Sequence, residues 1–342
     1  MEIDEIKEEI YKCSKCGLCQ SVCPIYKATK NEMYLPRGRY IILNNFFNNQ
    51  KPLSKEFIKN IDICLNCNLC KDFCPSNINT TEINTYLKNK HNFSKKRIPT
   101  HLVFKLFLHY IQFKKFFSKS EFFKNKVKKI SREKNIEKKV TFFQGCFNKY
   151  INSADKNATI NILEEIGFSV SKISTECCGI TYLSDGDYKS FIKNAKKIIN
   201  KIDKETEYIV CTCDSCYNTL KKIIEFIPSA NIFNEKLIRL DDLLVRENYN
   251  IKNIEGNTFI KPIIRKDSLS FAQKSINNLP SFMENFLYLK HNNLIKKLKK
   301  EHNTKFGNKS SDKPYSTCNL SRLGFYVTYK KNIISLSEYL KK

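Results

Sequence analysis

Cys13-Ser-Lys-Cys16-Gly-Leu-Cys19-Gln-Ser-Val-Cys23-Pro24 is the first cysteine run of the chain, and Cys64-Leu-Asn-Cys67-Asn-Leu-Cys70-Lys-Asp-Phe-Cys74-Pro75 repeats it about forty residues later. Both read C-x2-C-x2-C-x3-C-P. A [4Fe–4S] cube needs one thiolate per iron, and three cysteines two residues apart can wrap a tight loop round three corners. The fourth lies too far along the chain to close the same cube, so it ligates the other one. The expected sets are Cys13, Cys16, Cys19 and Cys74 for cluster A, and Cys64, Cys67, Cys70 and Cys23 for cluster B. Pro24 and Pro75 turn the chain away after each fourth ligand, because proline fixes φ and lacks a donor.

The double run resembles bacterial two-cluster ferredoxins. Zinc sites use cysteine pairs and leave no role for a third evenly spaced thiol. Disulfides belong to oxidising compartments. Here Met1 leads into Glu2-Ile3-Asp4-Glu5-Ile6, an acidic amphipathic start opposite in charge to an export signal. The fifteen cysteines therefore read as metal ligands in a reducing compartment. A cytoplasmic location is expected, free or peripheral on the cytoplasmic face of a membrane. No apolar run reaches the ~18 residues that a membrane span needs.

The 342 residues allow roughly two or three domains, and the expected fold class is multidomain, α followed by α/β. Residues 1–90 form the double-cluster module. Between its two runs, Tyr40, Leu43 and Phe47, then Phe57, Ile58 and Ile61, recur at helical spacing. That helical link is similar to the α-helical ferredoxin of succinate dehydrogenase iron–sulfur subunits. Residues 91–138 form a basic helical linker. Across 91–140 there are about 15 Lys and Arg against Glu121, Glu133 and Glu137, with Phe104, Phe107, Phe113, Phe116, Phe117, Phe122 and Phe123 interleaved. A helix from His101 to Phe117 with a basic face suits a linker packed on the module, docking on a partner, or peripheral contact with an anionic membrane. The formal net charge of +26 would also suit nucleic acid, but no nucleic-acid motif accompanies it, and none is expected as a partner. A lysine- and asparagine-rich composition accounts for the charge equally well.

Residues 139–228 alternate strand and helix. Strands are expected at 139–144, 168–173 and 208–211, with helices at 154–166, 188–202 and 217–226, an order that implies a parallel sheet with crossover helices. Cys146, Cys177, Cys178, Cys213 and Cys216 all fall at the carboxyl ends of those strands, where open α/β sheets bind ligands. Cys211 follows a strand and reads as core. Residues 287–302 read as a basic helix, 303–314 as a loop, and 315–318 as a strand ending at Cys318.

The order of Cys146, then Cys177-Cys178-Gly179, then Cys213-Asp-Ser-Cys216 resembles the cysteine-rich CCG domain of heterodisulfide reductase and its relatives. In that family such cysteines hold an unusual iron–sulfur cluster, which implies a third cluster here. Gly179, without Cβ, suits a close approach or a positive φ. The stretches Cys13 to Tyr26, Pro36-Arg37-Gly38-Arg39 and Asp62 to Ser76 extend the likeness to the glycolate oxidase iron–sulfur subunit family. Lactate-utilisation iron–sulfur proteins and anaerobic glycerol-3-phosphate dehydrogenase subunits share the layout. Members of the family usually carry two CCG modules. Residues 229–342 have the length of a second copy but contain no CCG, so a degenerate second module is expected there.

The resemblance implies an electron-transfer subunit. A partner FAD-linked oxidase subunit would oxidise a 2-hydroxy acid such as glycolate, and electrons would leave through the two cubes to a quinone or another carrier. No G-x-G-x-x-G follows a strand, so flavin and nicotinamide chemistry is expected on the partner, and no residue of this chain is expected to be catalytic. A thiol–disulfide enzyme of the heterodisulfide reductase kind is the main alternative. Arg37 and Arg39 are expected either to lie in surface salt bridges or to place positive charge beside a cluster.

Overall fold

The chain is described here from a computed structural model covering residues 3–49, 53–64, 66–91, 100–117, 138–150, 153–173, 177–249 and four short strands beyond them. The expected helix at 287–302, the loop at 303–314 and Cys318 lie outside the described residues. Two compact units are present. One is built mainly from Met1–Thr100 with Leu183–Asp187, and the other mainly from His101–Tyr182 and Tyr188–Phe282.

The first unit follows from where apolar residues fall. Its helices are α1 (Ile3–Tyr11), α2 (Cys19–Val22), α3 (Pro24–Thr29), α4 (Pro36–Asn49), α5 (Lys55–Asp62), α6 (Leu69–Asp72) and α7 (Thr80–Lys90). Ile6 and Ile10, Tyr40 and Leu43, Phe57 and Ile61, and Ile83 and Leu87 are each three or four residues apart. Each pair therefore shares one helix face. The four faces meet in a single buried core with Ile78. At ~1.5–3 kcal/mol for each large apolar side chain removed from water, this core outweighs the propensities of such short helices. The Ser54 side chain accepts from the Phe57 N–H at 3.1 Å and starts α5. Among the described residues this unit has helices and turns and no strand.

α4 starts where it does because of Gly38. A Cβ there would stand 2.3 Å from the Glu32 carbonyl oxygen, so only glycine lets the helix approach the 3-10 turn at Glu32–Tyr34. α7 carries a buried charge. Lys88 Nζ lies 3.3 Å from Asp62 Oδ1, with both side chains almost wholly inaccessible, and donates to the Ser184 carbonyl at 2.9 Å.

In the second unit, α8 (Thr100–Phe117) precedes an α/β segment. Its elements are β1 (Lys138–Phe143), α9 (Gly145–Tyr150), α10 (Ser153–Glu165), β2 (Phe168–Ile173), α11 (Ile180–Asp185), α12 (Tyr188–Ile199), β3 (Tyr208–Cys211), α13 (Asp214–Lys221), α14 (Ile223–Phe226), α15 (Asn231–Lys236), β4 (Leu237–Arg239) and α16 (Leu240–Arg246). The strands pair in parallel in the order β2-β1-β3-β4. Val140 to Phe143 and all of β3 are buried, the near-continuous pattern of a parallel sheet covered on both faces. β4 lies beyond residue 228, where sequence spacing ended this segment, because Ile209, Val210 and Cys211 pair with Leu237, Ile238 and Arg239. Leu240, Leu243 and Leu244 of α16 complete its core.

A second sheet follows. β5 (Thr258–Pro262), β6 (Lys274–Asn278), β7 (Tyr315–Ser316) and β8 (Ile334–Ser335) are also parallel and stand in the order β6-β5-β7-β8. This is the order of the first sheet, strand for strand.

Replacing Lys88 by Met removes the cation from a buried carboxylate, a class of change that is destabilising by about 3–5 kcal/mol. Lys88→Met should therefore lower the midpoint of urea unfolding markedly, and the double variant with Asp62→Asn should recover part of the loss. Equal midpoints for Lys88→Met and the unsubstituted chain would exclude this role for the pair.

Candidate metal centres

Cys13, Cys16, Cys19 and Cys74 line one cavity, together with Arg37, Tyr40, Cys70 and Thr80. The cavity gathers three sulfurs of the first run and the last sulfur of the second. The loops that present them are wound alike. Lys15 and Gly17 adopt φ of +58° and +84°, and Asn66 and Asn68, at the same two positions of the second run, adopt +52° and +61°. Left-handed residues at both places turn the chain twice within each C-x2-C-x2-C. Asn and Gly accept that conformation most readily. The Leu18 N–H and the Ser14 side chain hold the exposed Cys16 thiol below its ordinary range. Burial raises Cys19, against the N–H and charge of Arg37. Arg37 in turn is paired with Glu32 at 2.7 Å on the surface.

Cys23, Cys64, Cys67 and Cys70 form the second set. Each of Cys23, Cys67 and Cys70 feels the charge of Cys64, and Cys67 also those of Cys70 and Cys23. Burial pushes Cys23 and Cys67 up, and Cys70 up to about 12. Burial acts on Cys64 too, yet the charge of Arg39 and the Asn66 N–H bring it below its ordinary value. Arg39 is itself buried and donates to the Asn60 carbonyl at 2.9 Å. Of the two arginines, Arg37 lies in the expected surface salt bridge, while Arg39 is enclosed beside sulfur. Cys70 stands between the sets: it lines the first cavity and feels Cys64, Cys23 and Cys19.

Cys70 Sγ is 3.2 Å from Thr80 Oγ1, and Thr80 Oγ1 is 2.6 Å from the Tyr40 hydroxyl. Iron binds the thiolate, so a liganding Cys70 can only accept. The chain then runs from Tyr40 to Thr80 to sulfur, a donor arrangement that fits a metal-bound thiolate. The donors supplied to both sets, and free thiols that are half-buried apart from the exposed Cys16, fit iron–sulfur clusters.

Five of the six described thiols of the second unit also come together. Cys146 follows β1, Cys177 and Cys178 follow β2, and Cys213 and Cys216 follow β3. They are linked in a row by hydrogen bonds, Cys146 to Cys177 to Cys178 to Cys216 to Cys213. The bonds they give, and burial after them, push Cys146, Cys178 and Cys216 well up. Cys177 receives from Cys146 and Cys178 and from the Gly179 N–H, which hold it well below its ordinary value. A Cβ on Gly145 would touch Cys216 Sγ at 3.4 Å, so glycine there leaves room for sulfur. Cys211 is buried outside this row. The thiols make a row, and among the described residues no three Cys, His, Asp or Glu close up as a single-ion set.

Residues 9–78 match the family of 4Fe-4S dicluster domains, and residues 140–221 match the family of CCG cysteine-rich domains. The chain joins a dicluster domain to a cysteine-rich domain. It is 25% identical to a dihydromethanophenazine:CoB–CoM heterodisulfide reductase subunit of Methanosarcina mazei over 239 residues, 62% of this chain and 57% of that protein. It is 22% identical to the glycolate oxidase iron–sulfur subunit of Escherichia coli over 273 residues, 72% of this chain and 65% of that one. The same heterodisulfide reductase subunit from Methanosarcina barkeri is 23% identical over 239 residues, again 62% and 57%. The chain thus covers less than two thirds of the length of these curated relatives. By their names, these relatives are subunits of oxidoreductases. No solved structure matches the chain significantly.

In the cysteine-rich domain the structure adds neighbours that no motif announces. His101, from the first turn of α8, bonds Thr181 at 3.2 Å, stacks on Tyr182 with centroids 4.4 Å apart, and acts electrostatically on Cys177. Asn194 of α12 donates to the Cys177 carbonyl at 2.7 Å. In the dicluster domain Tyr40, Thr80 and Lys88 are the corresponding additions. None stands at a spacing that the cysteine motifs fix, so the motifs carried no signal of it.

Gly179 has φ +90°, and a Cβ there would meet the Phe191 ring at 2.9 Å, whereas Gly167 has φ +97° and open space. Gly167→Ala should lower unfolding stability by about 1–2 kcal/mol for left-handed backbone alone. Gly179→Ala should lose about 1–3 kcal/mol more for overpacking. Indistinguishable urea midpoints for the two variants would argue against the close packing at Gly179.

Proposed function

We propose that this chain is the electron-transfer subunit of a flavin-dependent 2-hydroxy-acid dehydrogenase of the glycolate-oxidising kind. A partner subunit carrying FAD takes electrons from the substrate, and a quinone or another carrier receives them. Cys13, Cys16, Cys19 and Cys74 hold one [4Fe–4S] cluster and Cys23, Cys64, Cys67 and Cys70 the other. When bound, such a cluster accepts and passes on one electron. The observation that carries the cluster assignment is the gathering of Cys74 with three thiols of the first run; the likeness to a glycolate oxidase iron–sulfur subunit supports the choice of substrate. The protein's own contribution is to hold Cys64, Cys67 and Cys70 half-buried and to aim donors at sulfurs of this set. Arg39 serves Cys64, and Tyr40 acts through Thr80 on Cys70. Arg37 keeps a positive charge at the rim of the first set.

The strand order shared by the two sheets supports reading the C-terminal residues as a second module that keeps the backbone of the first. The all-helical packing of α1, α4, α5 and α7 supports an α-helical ferredoxin. Among the described residues no helix is long and apolar enough to cross a membrane.

A second reading has its own support. Five of the six thiols of the cysteine-rich domain act on one another in one row, and heterodisulfide reductase subunits are among the relatives. In this reading Cys146, Cys177, Cys178, Cys213 and Cys216 hold a third cluster.

Protein reconstituted without air should bind about eight irons for two cubes, and more if the cysteine-rich domain is filled. With a co-expressed FAD-linked subunit it should reduce a dye in the presence of a 2-hydroxy acid, and Cys16→Ser should abolish electron delivery while substrate binding on the partner persists. Zinc in place of iron would end the cluster assignment. A thiol-dependent paramagnetic signal lost in Cys177→Ser, without 2-hydroxy-acid turnover, would favour the second reading.

A further inference from the structure

The two thiol sets differ in the charge built beside them. Arg39, only 1% exposed, faces the second set. One guanidinium nitrogen donates to the Asn60 carbonyl at 2.9 Å, four residues before Cys64, and the charge of the group acts on Cys64 and Cys23. Among the described residues no carboxylate lies within ion-pair distance of it. Lys88 adds a second buried cation that reaches Cys64 electrostatically, although Asp62 partly offsets it. The first set has Arg37 instead, whose side chain is 23% exposed and paired with Glu32, itself 56% exposed.

We propose that Arg39 makes the centre held by Cys23, Cys64, Cys67 and Cys70 the higher in potential, so that electrons run to it from the centre held by Cys13, Cys16, Cys19 and Cys74. The inference rests on the cluster reading above. Reduction adds one negative charge to a centre. A buried cation without a carboxylate stabilises that charge through a medium that screens poorly. At the surface, Glu32 and solvent cancel most of the field of Arg37. In the transfer one electron leaves the first centre, which is oxidised by one unit, and the second is reduced by one. No bond forms or breaks, and no proton moves. Arg39 is thus a positioning residue for charge, and α4 sets the direction of flow.

The test is a redox titration of the reconstituted full-length chain, followed by electron paramagnetic resonance with iron content measured on the same samples. Two one-electron midpoints are expected, and Cys16→Ser should alter the lower one only. Arg39→Gln should weaken reduction of the higher centre at least tenfold, a shift of 59 mV toward negative potential for a one-electron couple. Arg39→Lys, which keeps the charge, should restore most of it. A purely structural arginine would not be rescued in this way. Glu32→Gln, a surface change that does not challenge folding, should raise the lower midpoint and leave the higher one in place.

If Cys16→Ser alters the higher midpoint, or if Arg39→Gln moves neither while both centres are fully loaded, the proposed order is wrong. If Arg39→Gln does not fold, Cys16→Ser and Glu32→Gln decide the order alone. Iron below the content of two cubes in the unsubstituted chain would remove the cluster reading itself, an outcome that iron analysis separates from a reversed order.

Discussion

The first half of the chain depends on one reach across the fold: Cys74 must return to a loop laid down sixty residues earlier. Everything between the two cysteine runs serves that closure. α4 and α5 fold back, and Ile6, Ile10, Tyr40, Leu43, Phe57, Ile61, Ile83 and Leu87 join into a single core. The core is small, and each side chain in it comes from a short helix that would not persist alone in water. Packing and thiol placement therefore support each other, and a bound cluster would add a covalent cross-link between the ends of the module.

α4 is the joint between the two centres. Three neighbouring residues face three tasks: Arg37 turns to the rim of the first set, Arg39 to Cys64, and Tyr40 through Thr80 to Cys70. Gly38 between the arginines fixes how close the helix comes to the turn before it. One short stretch of helix thereby determines the donors available to sulfurs of both runs. A small rotation of α4 would change both centres at once.

Much of this was legible in the residues themselves. The cysteine spacing announced two loops of the same shape, and the loops do share left-handed residues at matching positions. The strands at 168–173 and 208–211 lie where alternation and β-branched residues put them. The end of the first sheet was not legible, because Leu237-Ile238-Arg239 is too short for any period and gains its strand character only by pairing with β3. The burial of Lys88 was hidden too. A lysine near the end of a polar helix reads as solvated, and only the fold brings Asp62 and the Ser184 carbonyl to it. His101 beside Cys177 is hidden for the same reason. Local sequence reports periodicity, whereas partners across seventy or ninety residues are decided by tertiary packing.

The repeated order of the two parallel sheets has a consequence for how such a chain can change over time. A ladder of main-chain N–H and C=O groups asks almost nothing of the side chains at the strand ends, which is where sulfur stands in the first sheet. The outline of the fold and its inventory of thiols are therefore inherited separately. Cysteines could be exchanged at those ends while the scaffold stays.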